Sequence, residues 1–428
     1  MLVNRTLVVA ASITLAAVAA GPTQAHAHAP LSPTNVRVSR DRFVGHAEPS
    51  LAVNPGNPRN LVGVAQFITT GQTRLPGAFV SFDDGATWQD NGLLPLPPGY
   101  NQGVDTTVAF TTHGLAFIAA SALHVIESGG SPQVSRSGVV VWRSDDGGRS
   151  FTRPVVVFQS SAVQDHPWLA VDTTDGPGHG TLYVAWATDT GLVVSRSSDN
   201  GHSFSAPRTI SSAADGHPTD AVATVGAGGT VQVAYEARHT AGVVLEVAVS
   251  SDHGRRFGYP HIVTVLADPT LQVGQAPLLA AAADPRGHSL YVVLAAPDQR
   301  TAHTEIRLWR SRDDGHTWAA PAPVAPEPRA RGADQGEPQL VVAADGAVYV
   351  SYFALARGRI DVFLARSTTH GASFGPSRRI TGVSSRVGGW LGDYQGLAAG
   401  PATIYPFWND WRTGRLEIYT AAVNLSVV

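Results

Sequence analysis

The residues best suited to chemistry recur at one kind of place. Seven short segments each begin with a polar, acidic or small residue and run into an apolar stretch. They are Glu48-Pro-Ser-Leu-Ala-Val, Asp105-Thr-Thr-Val-Ala-Phe, His166-Pro-Trp-Leu-Ala-Val, Asp220-Ala-Val-Ala-Thr-Val, Ala276-Pro-Leu-Leu-Ala-Ala, Glu337-Pro-Gln-Leu-Val-Val and Tyr394-Gln-Gly-Leu-Ala-Ala. Asp165, Asp334 and Asp393 stand beside these starts. Carboxyl groups gathered this way suit acid–base work on a glycosidic bond, where one carries a proton and another stays charged. Arg238, Arg357 and Arg412 follow later apolar runs and suit an anionic sugar, while Trp168, Trp390 and Trp411 suit stacking on sugar faces. Each acid also has a purely structural reading, as a cap on backbone groups around a wet channel.

The elements that must position these residues are set by a second repeat. An octapeptide, Ser-x-Asp-x-Gly-x-Ser/Thr-aromatic, occurs at Ser81–Trp88, Ser144–Phe151, Ser197–Phe204 and Ser311–Trp318. Two degenerate copies, Ser250–Phe257 and Ser367–Phe374, carry Arg256 at the hydroxyl position and Thr369 at the Asp position. The six starts lie 53 to 63 residues apart, which is the spacing of repeated supersecondary units. The pattern describes a tight hairpin turn. Its Asp accepts from the turn's own N–H groups, its Gly takes positive φ, and its hydroxyl closes the turn. These Asp residues are therefore read as structural.

Each unit reads strand, turn, strand, loop, strand, octapeptide, strand, which is one four-stranded propeller blade. The expected fold is all-β, a propeller of seven four-stranded blades, with six as the alternative. The last unit lacks a fourth strand, and a propeller must close its ring or leave raw edges. Asn35–Ser39 is the expected closing strand. In such a ring the starts of the inner strands and the loops between second and third strands share one mouth, and the octapeptide turns lie at the opposite end.

Composition agrees with a large ordinary core: 43% of residues are hydrophobic, only 15% are charged, and there is no cysteine to form a disulfide. The formal net charge of -3 and the absence of basic runs argue against nucleic acid. Arg5 followed by the apolar run Leu7–Ala20 and the small-x-small site Ala25-His26-Ala27 predicts a signal peptide over residues 1–27. A short tail over 28–34 and a single propeller domain over 35–428 follow. The expected product is secreted, extracellular or periplasmic, without a membrane span and monomeric. No cofactor is required, though an acidic channel suits a structural Ca²⁺.

The octapeptides resemble the Asp boxes of sialidases and related BNR-repeat proteins, over nearly the whole mature chain. That resemblance implies a sialidase-like glycoside hydrolase acting on an extracellular, possibly acidic glycan. The alternative is a non-catalytic propeller that binds glycan or protein, since such boxes occur in both. In the family, three arginines clamp the substrate carboxylate, a Tyr nucleophile works with a Glu, and an Asp is the acid/base. Glu337-Pro-Gln-Leu-Val-Val-Ala-Ala-Asp345-Gly346 resembles the Glu segment and Tyr394-Gln-Gly-Leu397 the Tyr segment. The resemblance thus implies Tyr394 as nucleophile, Glu337 as its partner, Asp105 or Asp165 as acid/base, and Arg238, Arg357, Arg412, His166, Trp390 and Asp393 around the substrate. The family's first Arg lies in a Phe/Tyr-Arg-Ile-Pro motif; Ala47 and Glu48 stand at its Arg and Ile positions here. Ala cannot make the bidentate contact that Arg gives a carboxylate.

Overall fold

The computed structural model describes residues 32–425, apart from 129–130, 213–215, 240–241, 267–278, 299–300, 302 and 326–331. The predicted signal peptide and the start of the fifth unit at Ala276 lie outside the described residues.

Seven antiparallel sheets follow one another along the chain. From inner to outer strand, blade 1 is Gly45–Val53, Leu61–Ile68, Arg74–Ser81 and Gln89–Leu93. Blade 2 is Gln102–Phe110, Ala116–Ser128, Ser131–Ser144 and Val155–Ser160. Blade 3 is Gln164–Val171, Leu182–Thr188, Gly191–Ser197 and Arg208–Ser212. Blade 4 is His217–Val225, Val231–His239, Gly242–Ser250 and His261–Leu266. Blade 5 is Ala280–Ala283, Leu290–Pro297, Thr304–Ser311 and Ala322–Pro323. Blade 6 is Asp334–Val342, Val348–Ala356, Arg359–Ser367 and Arg378–Arg379. Blade 7 is Gly396–Ala399, Thr403–Asp410 and Glu417–Thr420. Its outer strand comes from the other end of the chain: Val36–Arg37 pairs with Glu417–Thr420, Val36 opposite Thr420. Seven blades and N-terminal closure are both as expected.

The second strand of each blade is buried on both faces, because every sheet is packed between two others. It therefore reads as a continuous apolar run, as in Leu182-Tyr-Val-Ala-Trp186 and Leu290-Tyr-Val-Val-Leu294, all buried. Trp142, Trp186 and Trp408 fill the spaces between blades. Truncating such a side chain to Ala costs about 3–5 kcal/mol.

The octapeptide turns form as the pattern demands. Asp313 accepts from Thr317 N at 2.8 Å and from Thr317 Oγ1 at 2.7 Å, and Ser311 Oγ donates to it at 2.7 Å. Those donors hold Asp313 and its counterpart Asp199 down at a pKa of about 2, for Asp313 against the opposing effect of burial. The degenerate copies keep the same bond: Thr369 Oγ1 accepts from Ser373 N at 2.9 Å, and Asp252 from Arg256 N at 2.8 Å. The strands fix the ends of the ring. Inner strands start where second strands finish, as in the Gly45–Ile68 pairing, whereas the octapeptide Ser81 pairs with Leu61 at the other end.

Candidate functional site

Five blades carry the same irregularity in the inner strand. The register slips at Ala47/Ser50, Val104/Thr107, Asp165/Trp168, Thr219/Val222 and Gly336/Gln339. Each slip is a β-bulge, and its first residue is left-handed: Glu48 (φ 54), Asp105 (φ 56), His166 (φ 47), Asp220 (φ 56) and Glu337 (φ 47). Glycine takes such a φ without penalty, whereas a residue with a Cβ pays roughly 1–2 kcal/mol. Four acids and a histidine occupy these strained positions instead. Retained strain of this kind clusters where side chains must be aimed at a site.

The bulges bring residues of several blades together. His166 is central: its Nδ1 faces Asp220 Oδ1 at 3.2 Å and its Nε2 faces Asp105 Oδ1 at 3.8 Å. Asp105, Asp165 and His166 each present a polar atom within 4.8 Å of the others. A small pocket of about 20 Å³ lies beside them, walled by Asp105, His166, Trp168, Asp220, Gln339 and Tyr394. Asp165 lines a neighbouring cleft at the ends of blades 3 and 4.

The charges are strongly coupled. Burial works against a charge on His166, but Asp105, a hydrogen bond with Asp220 and the nearby Asp165 outweigh it and raise its pKa well above the usual imidazole value. His166 is therefore an imidazolium flanked by carboxylates. Desolvation pushes Asp165 up to about 6, with Asp105 and Asp220 adding to the rise and His166 opposing it. Asp165 is nonetheless solvent-exposed where it lines that cleft. Burial, then the Asp105 charge, raises Glu48 well above a normal carboxyl. Burial, then Asp220, does the same to Glu236, and burial with Asp393 to Glu337.

Tyr394 enters the same wall, with its hydroxyl donating to the Thr106 carbonyl at 3.2 Å and its ring edge-on to His166 and Trp168, both at 6.2 Å. Burial and the surrounding carboxylates Glu48, Asp105 and Asp393 hold its proton far above the usual phenol range. No hydrogen bond joins Tyr394 to Glu337 among the described residues. Asp393 accepts from Trp390 Nε1 at 3.1 Å and is itself raised by burial.

The arginines divide. Arg412 is held at blade 7, away from that pocket: it grips Asp410 at 2.5 Å, donates to Asn35 at 3.1 Å and lies over the Tyr419 ring at 4.2 Å. Asn35 belongs to the segment that closes the ring, so Arg412 fastens the closure. Arg357 sits at the exposed tip of the blade 6 hairpin with φ 52. Arg238 is the penultimate residue of the second strand of blade 4, close enough to Glu236 to oppose the rise of its pKa. Two residues at the mouth escaped the sequence reading. Arg74, first of its strand, lies over Trp390 at 4.6 Å. Gln66 donates through Nε2 to Glu48 Oε2. Arg74 follows the same kind of loop that pointed to Arg238 and Arg357, so its position was a usable signal; Gln66 lies inside an apolar strand and carried none. Ala47, at the position of the missing arginine, is fully buried in the core.

No family model and no curated protein matches the chain. Among solved structures it is similar to a polysaccharide lyase, ulvan lyase, bound to -[GlcA(1-4)Rha3S]- (TM-score 0.54, 13% identity, 91% of this chain and 96% of that one). It is also similar to the α-L-arabinofuranosidase arb93a of Fusarium graminearum (TM-score 0.52, 13% identity, 93% and 99%). The NanB sialidase of Streptococcus pneumoniae aligns at TM-score 0.49 and 10% identity, over 75% of this chain and 67% of that one. The first two likenesses show a shared fold.

Proposed function

We propose that this chain is a glycoside hydrolase that works on an extracellular glycan at the mouth of the propeller. Asp165 is the proton donor, Asp105 the carboxyl group beside it, and His166 the cation that lies between Asp105 and Asp220. The observation that carries the reading is the approach of Asp105, Asp165 and His166 within 4.8 Å of one another, with Asp165 lining the adjoining cleft of about 410 Å³. Carboxyl oxygens within 4.8 Å of each other are too close for the water that inverting glycosidases hold between carboxyls about 6.5–9.5 Å apart, which leaves Asp105 to attack the anomeric carbon. Asp165, raised to about 6 and open to solvent, keeps a proton that it can deliver to the leaving oxygen. Tyr394 serves as wall, with its hydroxyl already spent on the backbone. The two fold neighbours above TM-score 0.5 named here, a polysaccharide lyase and an arabinofuranosidase, are both named for action on glycans.

The test is release of 4-methylumbelliferone from a panel of glycosides, sialoside and arabinofuranoside included, by the protein and by Asp165→Asn and Asp105→Asn. Turnover that either variant cuts by about 10²–10⁴ supports the assignment. Turnover that neither variant changes contradicts it. Glycan binding without turnover of any substrate would replace the enzyme with a binding propeller.

A further inference from the structure

The junction of blades 6, 7 and 1 holds buried polar groups with unmet hydrogen-bonding capacity. Four of them are acceptor oxygens: Glu337 Oε1 and Oε2, Gln395 Oε1 and Asn409 Oδ1. The amides cannot simply be turned over. Gln395 Nε2 donates to the Glu337 carbonyl at 2.6 Å and Asn409 Nδ2 to the Leu391 carbonyl. Each nitrogen is committed, so each oxygen is fixed as an unmet acceptor. An unpaired buried acceptor costs about 1–3 kcal/mol, and more when charged.

The shortage is most acute at Glu337. Its bulge aims a carboxyl, on a residue only 4% exposed, into the junction, and neither oxygen meets a donor. Phe353, paired across the ladder with the preceding Gly336, offers none. Gln395, 1% exposed, is anchored on Glu337's own backbone, which holds its free oxygen next to the same bulge. Asp393 stands near enough for its charge to bear on Glu337. Both Glu337 carboxyl oxygens and Gln395 Oε1 are unmet oxygen acceptors beside one bulge. Oxygens of this kind are the ligands of a hard cation, which takes six to eight oxygens and completes its shell with water.

We propose that the blade 6–blade 7 junction binds a divalent cation of the Ca²⁺ class, through both Glu337 carboxylate oxygens and Gln395 Oε1, with Asp393 as the adjacent acid. The ion ties the segment carrying Trp390, Asp393 and Tyr394 to the bulge of blade 6, so it fixes one wall of the pocket. This inference concerns binding alone and stands whether or not the mouth cleaves a glycan.

The test uses the full mature protein stripped with EDTA. Adding CaCl₂ to a hundredfold excess over its dissociation constant should raise the melting temperature by about 3 °C. Tb³⁺, a luminescent stand-in for Ca²⁺, should show tryptophan-sensitised emission through nearby Trp390, and Ca²⁺ should quench it. Glu337→Gln should abolish both signals while leaving the far-UV spectrum of the fold intact. Gln395→Glu, which adds a charged ligand, should tighten binding about tenfold. If the wild type shows neither the shift nor the emission, or if Glu337→Gln retains both, the proposal is overturned and Glu337 holds a proton instead.

Discussion

Blades 1 and 6 begin with the same dipeptide in the same strained bulge, Glu48-Pro49 and Glu337-Pro338, with φ of 54 and 47 at the two glutamates. They differ in the residue across the ladder. Gln66 stands opposite Ala47, and its amide binds Glu48; Phe353 stands opposite Gly336, and Glu337 is left unbonded. The repeat therefore decides where a side chain is aimed, and the neighbouring strand decides what it can do there. A satisfied acid such as Glu48 has its pKa held up by burial and by the neighbouring Asp105 charge. An unsatisfied one such as Glu337 needs a proton or a cation from outside the chain.

The largest expected effect lies on the Asp105 side of the comparison. Glu48→Leu removes the carboxyl that couples to Asp105 and strands the Gln66 amide; turnover should fall by about 10-fold or more, and steady-state kinetics will show it in kcat. Glu48→Gln, which imitates the protonated acid, should keep most of it. Next comes the bond that distinguishes the two blades. Gln66→Leu turns blade 1 into a copy of blade 6, leaves Glu48 unpaired, and should cost about 1–3 kcal/mol in denaturant unfolding. An unchanged midpoint would mean that the Gln66 bond contributes nothing. The strain common to all five bulges gives a smaller effect. Asp220→Gly takes the 3.2 Å partner from the His166 cation but relieves a left-handed φ, so it should be more stable by roughly 1–2 kcal/mol than Asp220→Ala, which loses the partner and keeps the strain. Equal unfolding midpoints for the two variants would show that the bulge is not strained.

The smallest effect concerns the far end of the ring. Thr369→Asp restores the octapeptide of blade 6 and should add a few tenths of a kcal/mol after solvent screening. The sign follows from Asp313 and Asp199, whose folded pKa is depressed to about 2 from 3.8. Such a group stabilises above pH 3.8 and loses that contribution as pH falls toward 2. The gain in Thr369→Asp should therefore be present at pH 7 and vanish near pH 2 in thermal melts.

Much of this architecture was legible in the chain. Octapeptides at regular intervals implied blades, because a turn of that chemistry closes only one kind of hairpin. Seven inner-strand starts against six octapeptides implied a seventh blade borrowing its last strand, and Val36–Arg37 supplies it. The acids and His166 were found because the starts of inner strands share one mouth. What stayed hidden depends on contacts distant in sequence. Left-handed bulges look like ordinary strand starts until the register slip is seen. Arg412 was placed near substrate, yet Asn35, Asp410 and Tyr419 engage it. The partner that decides the fate of each glutamate, Gln66 or Phe353, lies within a strand whose pattern reads only as apolar and buried.

The central claim is that bulge-aimed carboxyls at the mouth carry out acid catalysis, and the pH dependence of kcat/KM on a responsive glycoside tests it most directly. Asp165 must be protonated to donate, and its pKa is raised to about 6. The rate should therefore hold on the acidic side of that value and fall about tenfold per pH unit above it. In Asp165→Asn the falling limb should disappear and the residual rate should be flat. A wild-type profile with no limb near pH 6, or a limb that survives in Asp165→Asn, would contradict the account.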